Sequence, residues 1–152
     1  MVAPSNLNRR LRDTLLTLQM DTPGLLGAVL VSTAGLTIVS TLPEPVEPDV
    51  VAALTAPTLA LSERTVEELW HGQLLQVLIK GHDGTYILVE KVNSQVAIVA
   101  LASRDAKLGL IFINMTRASA AIARIIEEAL EAHPAPRPRI SEASLRRFRR
   151  LK

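Results

Sequence analysis

Apolar residues recur with two different periods along the chain, and the segments with a period near 3.6 residues are predicted helices. The segment 6–19 has leucines every three or four positions, which predicts a first helix with one apolar face. A second helix is predicted over 48–70, where Pro57 should kink or split it because proline removes a backbone hydrogen bond. A third helix is predicted from an N-cap at Asp105 to Ala132.

Shorter segments rich in Val, Ile and Leu have the length of β-strands. The predicted strands are residues 25–32, 36–41, 74–80, 85–92 and 95–102. His82-Asp83-Gly84 is a tight-turn sequence between the third and fourth strands, and we interpret His82 and Asp83 as solvated turn residues. The last strand is apolar on both faces, so both faces need cover. The predicted fold is therefore α+β: a five-stranded antiparallel sheet covered by helices on both faces, in the order α-β-β-α-β-β-β-α.

The second predicted helix is apolar around more of its circumference than one sheet can cover. One stripe contains Val50, Leu54, Leu61 and Leu69. Leu59, Val66 and Trp70 lie roughly opposite this stripe, which gives an apolar arc on the order of 200°. The excess predicts a second buried surface on the side of Trp70, and self-association is the simplest way to form it. The alternative is a helix held beneath a long loop.

Composition and charge narrow the class of protein. The 152 residues are 48% hydrophobic but only 3% aromatic, so we expect an aliphatic core and no base-stacking surface. The chain has no cysteine, and its three histidines lack the spacing of metal ligands, so neither a metal nor a cofactor is expected. Its glycines do not form a phosphate-binding loop, and no catalytic residues are predicted. We expect a soluble, cytoplasmic protein that is not an enzyme.

The charges divide the chain into a body and a tail. Residues 137–152 hold seven basic side chains and one acidic one, whereas the rest of the chain holds 10 basic and 14 acidic ones. The predicted organisation is a disordered lead over 1–5, one domain over 6–132, and a proline-rich linker with a basic tail over 133–152. The tail is most simply a solvated segment, so we expect neither nucleic acid nor membrane as a partner, with electrostatic binding of either as the alternative.

Several short segments resemble the roadblock/dynein light-chain family of small dimeric domains. They are PGLLGAVLVS at 23–32, GL at 35–36, VAALTA at 51–56, LA at 101–102 and AKLGL at 106–110. Their order over residues 6–132 carries the likeness, while Pro57 and the basic tail depart from it. The resemblance implies a roadblock/profilin-like fold and a homodimer, in which the second helices pack together and the following strands pair. The predicted dimer-interface residues are Leu59, Val66, Trp70, Leu74, Gln76 and Leu78.

The same resemblance implies a function. Bacterial members of the family regulate or partner Ras-like small GTPases, including the GTPase-activating partner of the gliding-polarity GTPase, and have no nucleotide site of their own. We therefore expect a homodimeric, non-enzymatic regulator of a Ras-like small GTPase. Glu63, Arg64 and Glu67 are the predicted GTPase-docking residues, with a solvated helix face as the alternative. The alternative function is an assembly scaffold for a complex that contains no GTPase.

Overall fold

Helices and strands follow one another in the predicted order, with one further helix in the tail. The computed structural model describes residues 4–132 and 142–150. The helices are α1 (Pro4–Asp21), α2 (Pro48–Trp70), α3 (Leu108–Ala132) and α4 (Glu142–Arg150). The strands are β1 (Leu25–Ser32), β2 (Thr37–Ser40), β3 (Gln76–Lys80), β4 (Tyr86–Lys91) and β5 (Val96–Ala102).

All five strands join in one antiparallel sheet with the order β2-β1-β5-β4-β3. The last strand of the chain is therefore the central one, and β3 is an edge. Side chains of paired residues share a face of the sheet, so the register defines continuous rows. One such row crosses four strands and consists of Val29, Val99, Val89 and Val77.

The two faces of the sheet carry separate apolar clusters. On one face, α1 and α3 pack against each other and against the sheet, burying leucines of α1 such as Leu15 with Ile111, Met115 and Ile122 of α3. On the other face, α2 packs on β1 and β2 and places Ala52 and Leu59 against the valine row. Coverage of both faces, as the alternation in β5 predicted, is confirmed.

Several helix ends differ from the predictions. Pro4 and Ser5 belong to α1, so this helix begins before the predicted residue 6. Pro57 does not split α2. Proline has no N–H to donate to the carbonyl of Ala53, and the helix continues because Ala53 and Pro57 both face solvent. The residue that ends α2 is His71, which has a left-handed backbone with φ of 54°.

The tail is only partly described. Residues 1–3, 133–141 and 151–152 lie outside the described residues, and the predicted proline-rich linker falls within this set. The tail also contains the short basic helix α4, which carries Arg146, Arg147, Arg149 and Arg150.

Helix α3 is the longest helix described and is rich in apolar residues. By length and composition alone it meets the requirements for crossing a membrane, as the core helix of a soluble protein also does. Six of its residues are buried against the domain: Ile111, Asn114, Met115, Ala118, Ile122 and Ile125. The buried Asn114 amide donates hydrogen bonds to Thr22 Oγ1 at 2.9 Å and to the Asp21 carbonyl at 3.1 Å, which ties α3 to the end of α1.

Gly24 offers a test of the close approach between β1 and the segment that precedes α3. Its φ is +89°, and an added Cβ would lie 2.7 Å from Ala106 Cβ and 2.8 Å from Ala106 Cα. We expect Gly24→Ala to lower the free energy of unfolding by about 1–3 kcal/mol, measured by denaturant titration, because strain and overlap coincide. Gly109→Ala is the control, since no atom lies within 4 Å of its added Cβ. Equal midpoints for the two variants would contradict this account.

Candidate functional site

The outward side of α2 carries several large apolar side chains that are exposed. Val50, Leu54, Leu61 and Leu69 are exposed on it, Leu61 to 70%, and we call these four residues the outer face of α2. The buried residues of the helix are Ala52, Thr55 and Leu59, which point to the sheet. The expectation that the partner-facing side carries Leu59 is therefore wrong. The residues around Leu59 meet the sheet, and the stripe opposite them is exposed.

A second apolar surface lies on the same side of the sheet, beyond the edge of α2. Because α2 packs over β1 and β2, it leaves the side chains of Ile79, Ile87 and Leu101 partly exposed. Ile79 is 41% exposed, and we call these three residues the open half of the sheet. A groove of about 280 Å³ separates the two surfaces, with Leu54 and Thr58 on one wall and the open half of the sheet on the other.

The strand β3 adds an unpaired backbone edge to this region. It pairs with β4 on one side only, runs regularly from Gln76 to Lys80, and contains neither a proline nor a bulge. Leu78 and Ile79 are exposed on its two faces. A regular, apolar edge strand is a template for pairing with another chain. The outer face of α2, the open half of the sheet and the β3 edge together form the candidate interaction surface.

The predicted interface residues divide into three groups by position. Leu59 is 2% exposed and packs in the protomer's own core with Ala52 and the valine row, so it must be removed from the predicted interface. Val66, Leu74 and Gln76 are half-buried, whereas Trp70 and Leu78 are exposed. Sequence reasoning missed Leu54, Leu61, Ile79 and Ile87 as interface candidates, although their apolar character on surface positions was a usable signal.

The structure brings two of the three predicted docking residues together. Glu63 forms an ion pair with Lys91 of β4, with 2.6 Å between Lys91 Nζ and Glu63 Oε1. Glu63 and Glu67 line the same cleft, which has a volume of about 450 Å³. Leu74 and Lys91 also line it. Arg64 is exposed but does not line this cleft. The pair of Glu63 with Lys91 fastens the C-terminal half of α2 to the sheet, so Glu63 has a structural role that the sequence did not indicate.

A buried carboxylate lies next to the open edge, on the face covered by α3. Glu90 is 2% exposed, and its Oε1 accepts a hydrogen bond from Gln76 Nε2 at 3.3 Å. Its Oε2 is buried without a hydrogen-bond partner. Burial raises the pKa of Glu90, because removal from water penalises the charged form. The nearby hydroxyls of Thr116 and Ser119 and the Gln76 amide oppose this increase in pKa without cancelling it.

Asp83 lies in the turn between β3 and β4, and its side chain bonds within that turn. Asp83 Oδ1 accepts hydrogen bonds from the Thr85 amide at 3.2 Å and the Thr85 hydroxyl at 2.6 Å, and these bonds lower the pKa of Asp83. The Asp83 side chain therefore closes the β3–β4 turn, in agreement with its interpretation as a turn residue. Within residues 4–132 and 142–150, no group of three His, Cys, Asp or Glu side chains is placed to hold a metal ion.

Comparison with known proteins identifies the family. The Roadblock/LC7 domain model matches residues 11–102, and the chain belongs to this family. An uncharacterized protein of Methanocaldococcus jannaschii is 35% identical over 98 residues, which cover 64% of this chain and 84% of the relative.

Solved structures of similar shape include two MglB proteins. The gliding protein MglB from Thermus thermophilus is 25% identical with a TM-score of 0.72, and the alignment covers 83% of this chain and 93% of that one. An MglB in a tetrameric arrangement is 25% identical with a TM-score of 0.75, with 84% and 93% of the two chains covered. The roadblock fold expected from the sequence is thus confirmed.

The raised pKa of Glu90 predicts how stability depends on pH. The folded state holds this proton more tightly than the unfolded state, so the stabilisation is complete at low pH. It is lost as the pH rises from the ordinary glutamate value of 4.5 through the raised pKa of the folded protein. We expect Glu90→Gln to remove this loss, so that the variant gains stability relative to the parent between acid and neutral pH. Denaturant titrations at several pH values measure the effect.

The matched control for this experiment is Glu127→Gln, which changes an exposed glutamate of α3. It should leave the pH dependence of the free energy of unfolding as it is in the parent. A Glu90→Gln variant with the same pH dependence as the parent would show that Glu90 titrates normally in the folded protein.

Proposed function

We propose that this Roadblock/LC7 protein is a non-enzymatic homodimer that regulates a Ras-like small GTPase in the cytoplasm. The observation that carries the proposal is the pair of uncovered apolar surfaces on one protomer, the outer face of α2 and the open half of the sheet. Family membership supplies the reason to choose a second copy and a GTPase as the partners.

Two-fold symmetry accounts for both apolar surfaces with a single partner. In a two-fold dimer, the same patch on both subunits must be complementary to itself. If two β3 edges pair, the sheets join, the open halves of the two copies become neighbours, and both α2 helices lie on the same face of the joined sheet. Leucines of the outer face, such as Leu54 and Leu61, then leave water together with Ile79 and Ile87. The MglB that is solved in a tetrameric arrangement supports self-association in relatives of this kind.

The proposed docking surface for the GTPase is the polar flank of α2. Arg64 and Glu67 are exposed and lie outside the apolar surfaces that the dimer would bury. Charged groups at such positions favour a specific partner and accelerate its association more than they add affinity. The likeness to gliding protein MglB supports a GTPase as this partner, since the family resemblance implies that function for bacterial members.

Replacing Leu54 or Leu61 by glutamate tests the dimer. Both side chains are exposed in the protomer, so we expect Leu54→Glu and Leu61→Glu to leave the fold intact while charging the interface. The solution mass should fall from twice 16.5 kDa to 16.5 kDa, measured by light scattering after size exclusion.

Met20→Glu is the control for the dimer test, because Met20 is 82% exposed on α1, across the sheet from α2. Circular dichroism checks that each variant is folded. The dimer proposal fails if the parent protein is a monomer, or if the two leucine variants remain dimers of unchanged affinity.

Mixing experiments test the GTPase. We expect a complex with a Ras-like GTPase encoded nearby whose affinity differs between GDP and a non-hydrolysable GTP analogue. Arg64→Ala and Glu67→Ala should weaken the complex about tenfold or more without changing the dimer mass, whereas Glu127→Ala on α3 should leave it unchanged. Glu63 is omitted because its pair with Lys91 also holds α2. A dimer that ignores the GTPase in every nucleotide state would favour the assembly scaffold instead.

A further inference from the structure

The tail helix α4 carries a block of positive charge that the proposed dimer and GTPase surfaces do not use. Arg146, Arg147, Arg149 and Arg150 are all exposed. Because an α-helix turns about 100° per residue, these four positions fall within an arc of about 160°. Glu142, at the first position of α4, is the one acidic residue in the sequence of this helix. Most of one side of α4 is therefore cationic.

The sequence of α4 places its large apolar residues on the other side of the helix. Leu145 and Phe148 are three positions apart, so the helix backbone brings the two positions within about 60° of each other. Both positions fall outside the arc of the arginines. A helix with a basic side and an apolar side is typical of segments that lie in the surface of an anionic membrane.

The charge of the rest of the chain assigns any attraction to an anionic surface to the tail. Residues 1–136 hold 14 acidic and 10 basic side chains, whereas residues 137–152 hold seven basic side chains and one acidic one. Residues 133–141 connect α3 to α4, and nine residues span at most about 30 Å. This reach exceeds the Debye length of about 8 Å at physiological salt, so α4 can contact a surface while repulsion of the acidic domain is screened.

A lipid surface matches both sides of α4, whereas a nucleic acid duplex matches only one. The phosphates of either partner can bind the arginines, and this attraction falls as the salt concentration rises. The lipid surface also offers an apolar layer, in which residues such as Leu145 and Phe148 leave water. A duplex offers phosphates but no such layer. The amphipathic sequence of α4 therefore favours lipid.

We propose that α4 binds an anionic lipid surface, with its arginines at the headgroup phosphates and the positions of Leu145 and Phe148 at the boundary with the acyl chains. The cytoplasmic leaflet of a membrane carries such negative charge. The proposal departs from the expectation of a solvated tail, because the helical backbone of α4 separates the basic positions from the apolar ones. It goes beyond the proposed function, since it gives the regulator a location and uses no residue of α2 or of the sheet.

Binding of the full-length protein to lipid vesicles tests this inference. We expect the protein to sediment with vesicles of phosphatidylcholine and phosphatidylserine, less so at high salt, and not with vesicles of phosphatidylcholine alone. The double variant Arg147→Glu/Arg150→Glu should bind about tenfold more weakly or worse, because each basic residue near the surface contributes to the attraction. The matched control is Arg9→Glu/Arg124→Glu, which makes the same charge change at exposed positions of α1 and α3 and should bind like the parent.

A substitution that leaves the charge unchanged separates insertion into lipid from charge attraction alone. Phe148→Ser removes a large apolar group, so we expect it to weaken binding to the phosphatidylserine vesicles about tenfold. Ala143→Ser, at an exposed position on the side of the arginines, is its control and should have no effect. Circular dichroism checks that each variant is folded.

Several results would overturn the inference. They are a parent protein that does not bind the phosphatidylserine vesicles, equal weakening by the Arg9→Glu/Arg124→Glu control, and parental binding by Phe148→Ser. Tighter binding to a DNA duplex than to the vesicles, measured by fluorescence anisotropy, would assign α4 to nucleic acid instead. A lower dimer mass for Arg147→Glu/Arg150→Glu, with vesicle binding unchanged, would assign α4 to contacts within the protein. None of these results bears on the GTPase, which has its own mixing experiment.

Discussion

The need to cover β5 on both faces is the constraint on which the structure depends. This strand lies at the centre of the sheet, and all five residues from Val96 to Ala100 are buried. Its even-numbered side chains lie beneath α1 and α3, and its odd-numbered ones lie on the side of α2. A strand with two apolar faces can be stable only as an inner strand of a covered sheet. The chain supplies that cover with helices from before, between and after the strands.

The helices cover the two faces of the sheet unequally, and this difference supports the proposed function. Within residues 4–132, two helices share one face of the sheet, whereas α2 is the single helix on the other and packs over β1 and β2. The open half of the sheet and the outer face of α2 remain beside one groove. Because both surfaces belong to the same patch, a second copy related by two-fold symmetry can cover both. The polar flank of α2 then stays accessible to a further partner.

Polar groups lie at the edge of the sheet beside this surface. Apolar burial favours association but is weakly directional, so it does not by itself select one strand register. Gln76, Glu90 and Lys80 share one face at or next to the edge strand, and they differ in charge and hydrogen-bonding capacity. Burial of Glu90 within the protomer disfavours its charged form, as the raised pKa of Glu90 indicates.

The order of elements, the α+β class and the two-sided burial of β5 were determined by the sequence alone. They follow from local periodicity and turn residues, and short segments also carried the family resemblance. The tertiary structure alone decided which side of α2 meets the sheet. Both sides of that helix are apolar, so its own pattern is ambiguous. The small side chain of Ala52 and the hydroxyl of Thr55, bonded to the Val51 carbonyl, allow close approach on the buried side together with Leu59. The pairing of β1 with β5 was likewise decided by the fold, since long-range contacts leave no periodic signal. That pairing leaves β3 at the edge of the sheet. The burial of Glu90 and the candidate interaction surface follow from this arrangement.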